Sequence, residues 1–377
     1  MPFGAALSEH PVPAVAIGEV LGEILEQVGP EPDLAVLFAT APLTGAMEDI
    51  VRTVNTVLRP QVLLGSTAVS VLARAEEVEE TTALSLWAGS TGPARRVRLT
   101  AQRIEDGFTI LGLPADVEQG AVLLLLADPF TFPVDAFLEQ LATDRPDITV
   151  LGGLASAARG PGGNRLVLDE ELAADGAVGV LLDAGSVTTV VSQGCRPIGD
   201  PMIVTRAERS MIYEMAGQPA LERLNELVGT LSPADRTLMS RGLHMGVVVD
   251  ETKPEFTRGD FLVRNVLGAD RDNGAIAVGD EVAIATTVQF HVRDAETADE
   301  DLRSLLATAE AADAALVFTC NGRGTHLFGD PHHDAELVAA VTEGRCAGMF
   351  CAGEIGPIGG RSFLHGFTAS IALFRER

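Results

Sequence analysis

Residues 34–66 read LAVLFATAPLTGAMEDIVRTVNTVLRPQVLLGS, and this stretch decides the fold class. Leu34 to Phe38 is a short, wholly apolar run that is typical of a buried strand. Apolar residues then recur at helical spacing up to Pro60: Met47, Ile50, Val51, Val54, Val57 and Leu58. Val62 to Leu64 is a second apolar run, and it leads into Gly65-Ser66. The stretch predicts a strand, a helix and a second strand.

The same order recurs later in the chain. Val122 to Leu126 precedes a helix that begins after Pro133, and Ile148 to Leu151 leads into Gly152-Gly153. Positions 35 and 65 of the first copy thus correspond to positions 122 and 152 of the second.

A third, longer copy lies near the carboxyl end. It comprises Ala315 to Thr319, a helix after Asp334, and Met349 to Ala352 leading into Gly353, with residues 320–333 inserted. Each copy is followed by an apolar, strand-like run, at residues 82–87, 178–182 and 368–374. We predict an internal strand–helix–strand repeat whose glycine turns close the strands, with simple recurrence of α/β elements as the alternative.

The whole pattern predicts an α/β protein of mixed sheets flanked by helices, in two consecutive domains. The first domain, residues 1–220, begins with an amphipathic helix whose apolar face stops at Gly29-Pro30: Ile17, Val20, Leu21, Ile24, Leu25 and Val28. A helical segment around residues 220–231 interrupts several β-rich stretches, and a polar turn follows it at 232–235. We therefore place the boundary near residue 220 and assign residues 221–377 to the second domain.

Composition excludes several kinds of partner. The chain has 53 acidic and 27 basic side chains, for a net charge of -26, which disfavours nucleic acid and anionic membranes. The amino-terminal residues lack the basic and apolar segments of a signal peptide. The longest aliphatic run, Ala121 to Ala127, is far shorter than the roughly 20 residues of a membrane helix. We expect a cytoplasmic globular protein with a solvated acidic surface.

Neither a metal nor a cofactor is predicted. The four cysteines form no C-x-x-C pair: Cys195, Cys320, Cys346 and Cys351. The polar residues that follow Cys320 match no metal-ligand spacing, so we interpret them as a solvated loop: His326, Asp330, His332, His333 and Asp334. The glycine segments lack the spacing of phosphate-binding loops, and the one lysine, Lys253, lies in a polar turn.

Cys320-Asn321-Gly322-Arg323-Gly324 is the densest cluster of unusual residues, and it follows a predicted strand. Its two glycines permit close approach of a ligand, and the Arg323 guanidinium suits a carboxylate or phosphate. The alternative is a tight structural turn in which Arg323 forms a local salt bridge.

A second cluster is Gly353-Glu354-Ile355-Gly356, in which glycines bracket a carboxylate that we expect in a loop. Glu354 could receive an amine or hydroxyl of a ligand, or pair with Arg323. Residue types alone also allow a thiol triad of Cys320, His365 and Glu354.

Together these residues resemble the FIST family, whose two consecutive domains are called FIST N and FIST C. In the first part the resemblance rests on residues 63–67, 151–156 and 192–199. In the second part it rests on residues 259–265, 289–294, 320–324 and 353–356. The resemblance implies a sensory module for small ligands, with amino acids as the usual suggestion. Some relatives join it to a signalling output domain or an F-box, and neither is expected here.

The leading hypothesis is a sensory or binding protein in intracellular signalling. A small polar ligand would lie in a cleft lined by glycine turns, with Arg323 on its anionic group and Glu354 on its cationic group, as an amino acid would allow. The predicted ligand-binding residues are Gly152, Gly153, Cys320, Asn321, Gly322, Arg323, Gly324, Gly353, Glu354, Ile355 and Gly356. Signal output would need an unknown protein partner. A thiol hydrolase or transferase that depends on Cys320, and an interaction scaffold without a ligand, are the alternatives, and no catalytic residue is assigned.

Overall fold

The computed structural model describes residues 2–105 and 107–376. Its helices are α1 (Pro13–Val28), α2 (Met47–Val57), α3 (Val134–Asp144), α4 (Ala220–Thr230), α5 (Pro233–Arg241), α6 (Ala295–Thr308), α7 (Thr325–Phe328) and α8 (His333–Thr342). Short 3₁₀ helices span Ala41–Ala46 and Arg258–Asp260. The predicted amphipathic helix is α1, which has proline at its first position. Gly29 follows its last residue with a φ of 76°, which glycine adopts readily.

Strands make up most of the remaining structure. Up to residue 182 they are β1 (Phe3–Ser8), β2 (Leu34–Thr40), β3 (Val62–Ala68), β4 (Val71–Ala73), β5 (Glu76–Val78), β6 (Leu84–Gly89), β7 (Ala94–Ile104), β8 (Gly107–Leu111), β9 (Val122–Ala127), β10 (Thr149–Leu154), β11 (Leu166–Leu168), β12 (Glu171–Ala173) and β13 (Ala177–Leu182). Beyond residue 182 they are β14 (Val187–Gln193), β15 (Cys195–Glu208), β16 (Met211–Met215), β17 (Gln218–Pro219), β18 (Leu243–Val248), β19 (Phe261–Asp270), β20 (Ala275–Val278), β21 (Thr287–Arg293), β22 (Ala314–Cys320), β23 (Cys346–Cys351), β24 (Glu354–Ile358), β25 (Arg361–His365) and β26 (Thr368–Phe374).

The predicted strand–helix–strand repeat is confirmed. In each copy the strands before and after the helix lie parallel and adjacent: β2 with β3, β9 with β10, and β22 with β23. The apolar run that follows each copy pairs antiparallel with the first strand, as β6, β13 and β26. The first strands are buried along their whole length, and therefore they are continuous apolar runs instead of alternating patterns.

A short hairpin follows the second strand of each copy and joins the sheet of a different copy. Hairpin β4–β5 follows β3 but pairs with β23, β11–β12 follows β10 but pairs with β3, and β24–β25 follows β23 but pairs with β10. The three sheet orders are β1-β6-β2-β3-β11-β12, β8-β7-β13-β9-β10-β24-β25 and β14-β26-β22-β23-β4-β5. This cyclic exchange places a hairpin from another copy beside each second strand.

The glycines that mark the repeat lie inside strands, so the prediction of glycine turns is wrong on this point. Gly65, Gly152 and Gly348 each lie directly against the preceding parallel strand. A Cβ atom at these positions would lie 2.5, 1.9 and 2.0 Å from the carbonyl oxygens of Leu37, Leu125 and Val317. Glycine is required because the backbones approach too closely for a side chain. In the third copy the equivalent glycine is therefore Gly348, and Gly353 follows the strand end.

Two compact units result from this arrangement. The first contains the chain up to Val191, Leu302–Leu364 and the residues from Thr368, and it includes all three repeat copies. The second contains Ser192–Asp301 and His365–Phe367. The spatial units thus differ from a division along the chain. Most of the second unit lies in the sequence between the second and third copies, and its short segment His365–Phe367 directly precedes β26. The boundary near residue 220 stays a prediction about the order of domains in the sequence.

The second unit is a mainly antiparallel sheet with α4 and α5. Its strand order is β15-β21-β18-β19-β20-β16-β17. Its core consists of aliphatic and aromatic side chains from several of these strands, among them Ile212, Met245, Ile276, Val288 and Phe290. Within the described residues, none of the helices combines the length and hydropathy that crossing a bilayer requires.

Candidate functional site

The Cys320–Gly324 segment folds back at the carboxyl end of β22. Asn321 N donates to the Cys351 carbonyl (3.0 Å), and Arg323 N donates to the Cys320 carbonyl (2.8 Å). Gly322 N lies 3.5 Å from the Cys320 sulfur. Because β22 and β23 are parallel and pair Cys320 with Cys351, two buried thiols lie side by side at the carboxyl ends of these strands.

Arg323 is fully buried and forms a two-pronged ion pair with Asp334. The distances are 2.7 Å from Nε to Oδ2 and 2.8 Å from Nη2 to Oδ1. Burial acts to raise the pKa of Asp334, but the charge and hydrogen bonds of Arg323 outweigh it and keep that pKa well below its usual range. The interpretation of Asp334 as part of a solvated loop is therefore wrong. Among the described residues, Arg323 Nη1 has no hydrogen-bond partner.

Glu354 is also fully buried, at the start of strand β24 and not in the loop that the glycine pattern indicated. Thr368 donates its backbone N–H (3.1 Å) and its hydroxyl (2.9 Å) to Oε2. Oε1 accepts no hydrogen bond of normal geometry from the residues that the structure describes. Burial raises the pKa of Glu354 to about 8, and the Thr368 hydrogen bonds, the Cys320 thiol and the Arg323 charge reduce this effect only in part.

Arg323 and Glu354 are near enough for each to influence the other electrostatically. The Glu354 charge favours the charged form of Arg323, and Arg323 lowers the pKa of Glu354. The guanidinium fork is nevertheless committed to Asp334, so the alternative that Arg323 and Glu354 form each other's ion pair is wrong. Arg323 Nη1 and Glu354 Oε1 thus have no hydrogen-bond partner of normal geometry among the residues that the structure describes.

The repeat offers an internal comparison for Glu354. In each copy, the residue after the repeat glycine pairs with the first strand of an exchanged hairpin. Gly153 pairs with Glu354, Ser66 with Leu166, and Met349 with Val71. The position of Glu354 is therefore apolar in the other two hairpins, and a leucine or valine satisfies the packing there. Packing alone does not require a carboxylic acid at residue 354.

The ends of the first strands allow a similar comparison. Thr40 and Asp128 are the repeat equivalents of Cys320 and are likewise buried. The Thr40 hydroxyl exchanges hydrogen bonds with the backbone of Ala83, and Asp128 accepts from Asn164 Nδ2 (2.9 Å). Their polar atoms are satisfied locally. The third strand end differs, because Arg323 Nη1 and Glu354 Oε1 beside it have no partner of normal geometry within residues 2–105 and 107–376.

The glycines of the predicted site provide close packing. A Cβ atom at Gly152 would lie 1.9 Å from the Leu125 carbonyl oxygen, and one at Gly153 would lie 2.3 Å from the Cys351 sulfur. The equivalent distances are 2.6 Å to a Glu79 carboxylate oxygen for Gly324 and 2.6 Å to the Ser370 hydroxyl for Gly356. Backbone contact accounts for glycine at Gly152, and a φ of 57° favours glycine at Gly324. A role in ligand binding stays a prediction for all of these glycines.

The remaining predicted residues differ in their burial. Asn321 is exposed, and Ile355 packs in the apolar core beside β9 and β10. Gly353 accepts a hydrogen bond from Leu154 N through its carbonyl (2.9 Å), which connects the two glycine segments. His365, the third member of the thiol triad hypothesis, belongs to the short segment 365–367 of the second compact unit.

Glu77 is a buried site residue that the sequence analysis missed. Its carboxylate accepts hydrogen bonds from the backbone N–H groups of His332, Asp334 and Ala335, and so it caps α8. Burial and the nearby Asp334 charge raise its pKa to about 7. No local signal distinguishes it, because it lies in an acidic run, residues 76–80, that is typical of an exposed turn.

Comparison with known proteins agrees with this architecture. A family model described as the FIST N domain matches residues 33–218, and one described as the FIST C domain matches residues 220–357. The chain belongs to the FIST family. FIST domains are generally sensory domains that bind small ligands in signalling.

Three mycobacterial relatives of this FIST protein are similar along its full length. An uncharacterized protein of Mycobacterium tuberculosis strain H37Rv is 42% identical, over 99% of this chain and 100% of its own. Uncharacterized proteins of Mycobacterium bovis and of M. tuberculosis strain CDC 1551 are each also 42% identical, over 99% of both chains. The similarity therefore extends over nearly the whole length of this chain and of each relative.

Proposed function

We propose that this FIST protein binds an amino acid at the carboxyl end of β22 and signals its presence to a separate protein partner. The observation that carries the proposal is Glu354, a fully buried carboxyl group where the other two repeats have Leu166 and Val71. One of its oxygens accepts no hydrogen bond of normal geometry from the described residues. Buried polar atoms without partners are rare in folded proteins. We therefore take Arg323 Nη1 and Glu354 Oε1 as the atoms that a bound amino acid would contact.

The two unpartnered atoms differ in the ligand group that each would bind. Arg323 Nη1 is a cationic donor and suits a carboxylate, whereas Glu354 Oε1 suits an ammonium group once the acid is ionised. An α-amino acid has both groups on one carbon atom. With Glu354 ionised, each buried charge would have a partner of opposite sign, because Arg323 would contact both Asp334 and the ligand carboxylate, and Glu354 would contact the ammonium group.

Entry to this site requires movement, because both side chains are fully buried. Residues 321–332 connect β22 to α8, and Thr325 and His326 on this segment are exposed. We infer that this segment opens to admit the ligand. Its movement would also alter the Glu77 and Glu79 contacts, and this gives a route from ligand binding to a surface that a partner could recognise.

A thermal-shift screen against the twenty amino acids, followed by titration calorimetry on any hit, tests the proposal. Glu354→Gln keeps an acceptor for Thr368 but cannot ionise, so it should weaken binding by about 2 to 5 kcal/mol without loss of stability. The matched control is Glu336→Gln on the exposed face of α8, which should bind like the wild type. Binding that is unchanged in Glu354→Gln would overturn the assignment.

A second candidate function is thiol chemistry at Cys320, as in a hydrolase or transferase. Two observations support it. The Cys320 thiol lowers the pKa of the Glu354 carboxyl group, and the Gly322 N–H points at the Cys320 sulfur. Iodoacetamide labelling followed by peptide mass spectrometry tests it, with the buried Cys346 as internal reference. Labelling of Cys320 no faster than that of a free thiol at neutral pH would exclude this function.

A further inference from the structure

A second group of buried polar side chains lies in the second compact unit. His244 on β18 and His291 on β21 are directly opposite each other in the antiparallel ladder, so their side chains share one face of the sheet. Gln193, at the end of β14, reaches the same region, since its Nε2 donates to the Phe261 carbonyl (2.8 Å). All three side chains are more than nine-tenths buried. We call these three residues the imidazole cluster.

Hydrogen-bond geometry defines which atoms of the imidazole cluster remain available. His291 Nδ1 lies 3.0 Å from the Gln289 carbonyl oxygen, and a carbonyl only accepts, so Nδ1 carries the proton. Nε2 of the neutral ring is then an acceptor. The Phe261 carbonyl likewise orients the Gln193 amide, which leaves Oε1 as a second acceptor. Neither His291 Nε2 nor Gln193 Oε1 has a partner among the residues that the structure describes.

Aromatic rings and one glycine shape the surroundings of the imidazole cluster. The Phe261 ring lies 5.0 Å from the His291 ring, and the Phe367 ring lies 4.6 Å from the His244 ring. A Cβ atom at Gly246 would lie 2.3 Å from His291 Cε1, so only glycine leaves room for the ring in this position. The Arg293 guanidinium lies over the Phe367 ring at 4.7 Å.

This arrangement selects among ligand chemistries. A cation is disfavoured because Arg293 is close enough for its charge to act on His244. An anion would meet two acceptor atoms, His291 Nε2 and Gln193 Oε1, and acceptors repel it. An uncharged molecule with N–H or O–H groups would satisfy both acceptors, and its apolar part could contact Phe261 and Phe367.

We propose that the imidazole cluster is a second binding site, for an uncharged small molecule that donates hydrogen bonds to His291 Nε2 and Gln193 Oε1. The site lies within the second unit and uses none of the residues proposed for the amino acid. Its occupancy can therefore be measured whether or not the site at Glu354 binds an amino acid.

The test uses the full chain labelled with ¹⁵N at histidine and two amides as probes. Acetamide has N–H donors, whereas N,N-dimethylacetamide has the same carbonyl and lacks them. We expect acetamide to cause a saturable shift of the His291 Nε2 resonance, and N,N-dimethylacetamide to cause none. The exposed His326 should show no saturable shift with either probe.

Variants connect the shift to the imidazole cluster. Gln193→Leu should weaken acetamide binding by about tenfold, the effect of one hydrogen bond, and Gln193→Met is a second variant of similar length. Gln140→Leu, on the exposed surface of α3, is the matched control. Equal or non-saturable shifts with both amides would overturn the proposal. A high-resolution structure in which an ordered water bridges both acceptors and acetamide does not displace it would also overturn it.

Discussion

The site at Glu354 and the imidazole cluster both bury ionisable groups, but burial acts on them in opposite directions. Desolvation disfavours the charged form, so Glu354 retains a proton and its pKa rises to about 8, whereas His244 and His291 lose a proton and their pKa values fall to about 4. Glu354, His244 and His291 are therefore mostly uncharged at pH 7 in the folded protein. The comparison shows that one physical effect gives the two units opposite responses to pH.

The largest expected effect is in the imidazole cluster. The unfolded chain has histidine pKa values near 6.5 and takes up protons first as the pH falls, so the free energy of unfolding of the second unit should decrease between about pH 6.5 and pH 4. The expected loss is about 3 kcal/mol for each imidazole. Hydrogen exchange of residues 243–293 across this range measures it.

A double variant gives the control for this prediction. His244→Gln/His291→Gln should remove most of the acid-induced loss of protection, whereas His326→Gln, which changes an exposed side chain, should leave it in place. If the second unit keeps its full protection at pH 4 in the wild type, the two imidazoles are not held neutral by burial.

Glu354 should give an effect of opposite sign in the first unit. Its pKa rises from 4.5 to about 8 on folding, so the folded state keeps a proton that the unfolded state has released. The free energy of unfolding should therefore decrease as the pH rises from about 4.5 to 8, by up to about 5 kcal/mol. Glu354→Gln should remove this dependence and exceed the wild type in stability above pH 8, as urea unfolding at several pH values would show.

The same carboxyl group links binding to protons. An ammonium group at Glu354 would favour the ionised form, so amino acid binding at pH 7 should release up to one proton. Calorimetry in buffers of different ionisation enthalpy measures this number. A proton count of zero at both pH 7 and pH 9 would mean that the ligand does not ionise Glu354.

Glu77 should show a smaller effect of the same sign as Glu354. Its pKa rises from 4.5 to about 7, so the free energy of unfolding should decrease by up to about 3 kcal/mol over that pH range. Glu77→Gln should remove most of this decrease in the free energy of unfolding. Glu76→Gln, on the exposed side of the same hairpin, should leave the decrease unchanged. Loss of protection confined to α8 at high pH would locate the effect at the helix that Glu77 caps.

Much of the fold was predictable because the strands of the repeat are buried on both faces. Such strands appear in the sequence as apolar runs, and the helix between them has its own period, so β2, β9 and β22 lie within two residues of their predicted ends. The hairpins were not predicted. Their strands β4 and β11 have three residues each, too few for a periodic signal, and their partners are distant in the chain.

The candidate site was predictable only in part. Cys320, Arg323 and Glu354 are unusual residues in apolar or glycine-rich surroundings, and this indicated that they belong to a site. The partners of these residues were not predictable, because Asp334 and Glu77 resemble ordinary surface acids in sequence. His244, His291 and Gln193 lie in ordinary strand patterns, and only the ladder that pairs β18 with β21 reveals them as a cluster.

The sequence by itself determined the family, the α/β class and the three repeats, because each of these follows from local composition and from the spacing of residues along the chain. The tertiary structure decided which polar side chains are buried and which of their atoms lack partners. The physical reason is that desolvation and hydrogen bonding depend on groups brought together from distant parts of the chain, such as Glu354 from one hairpin and Thr368 from the following strand.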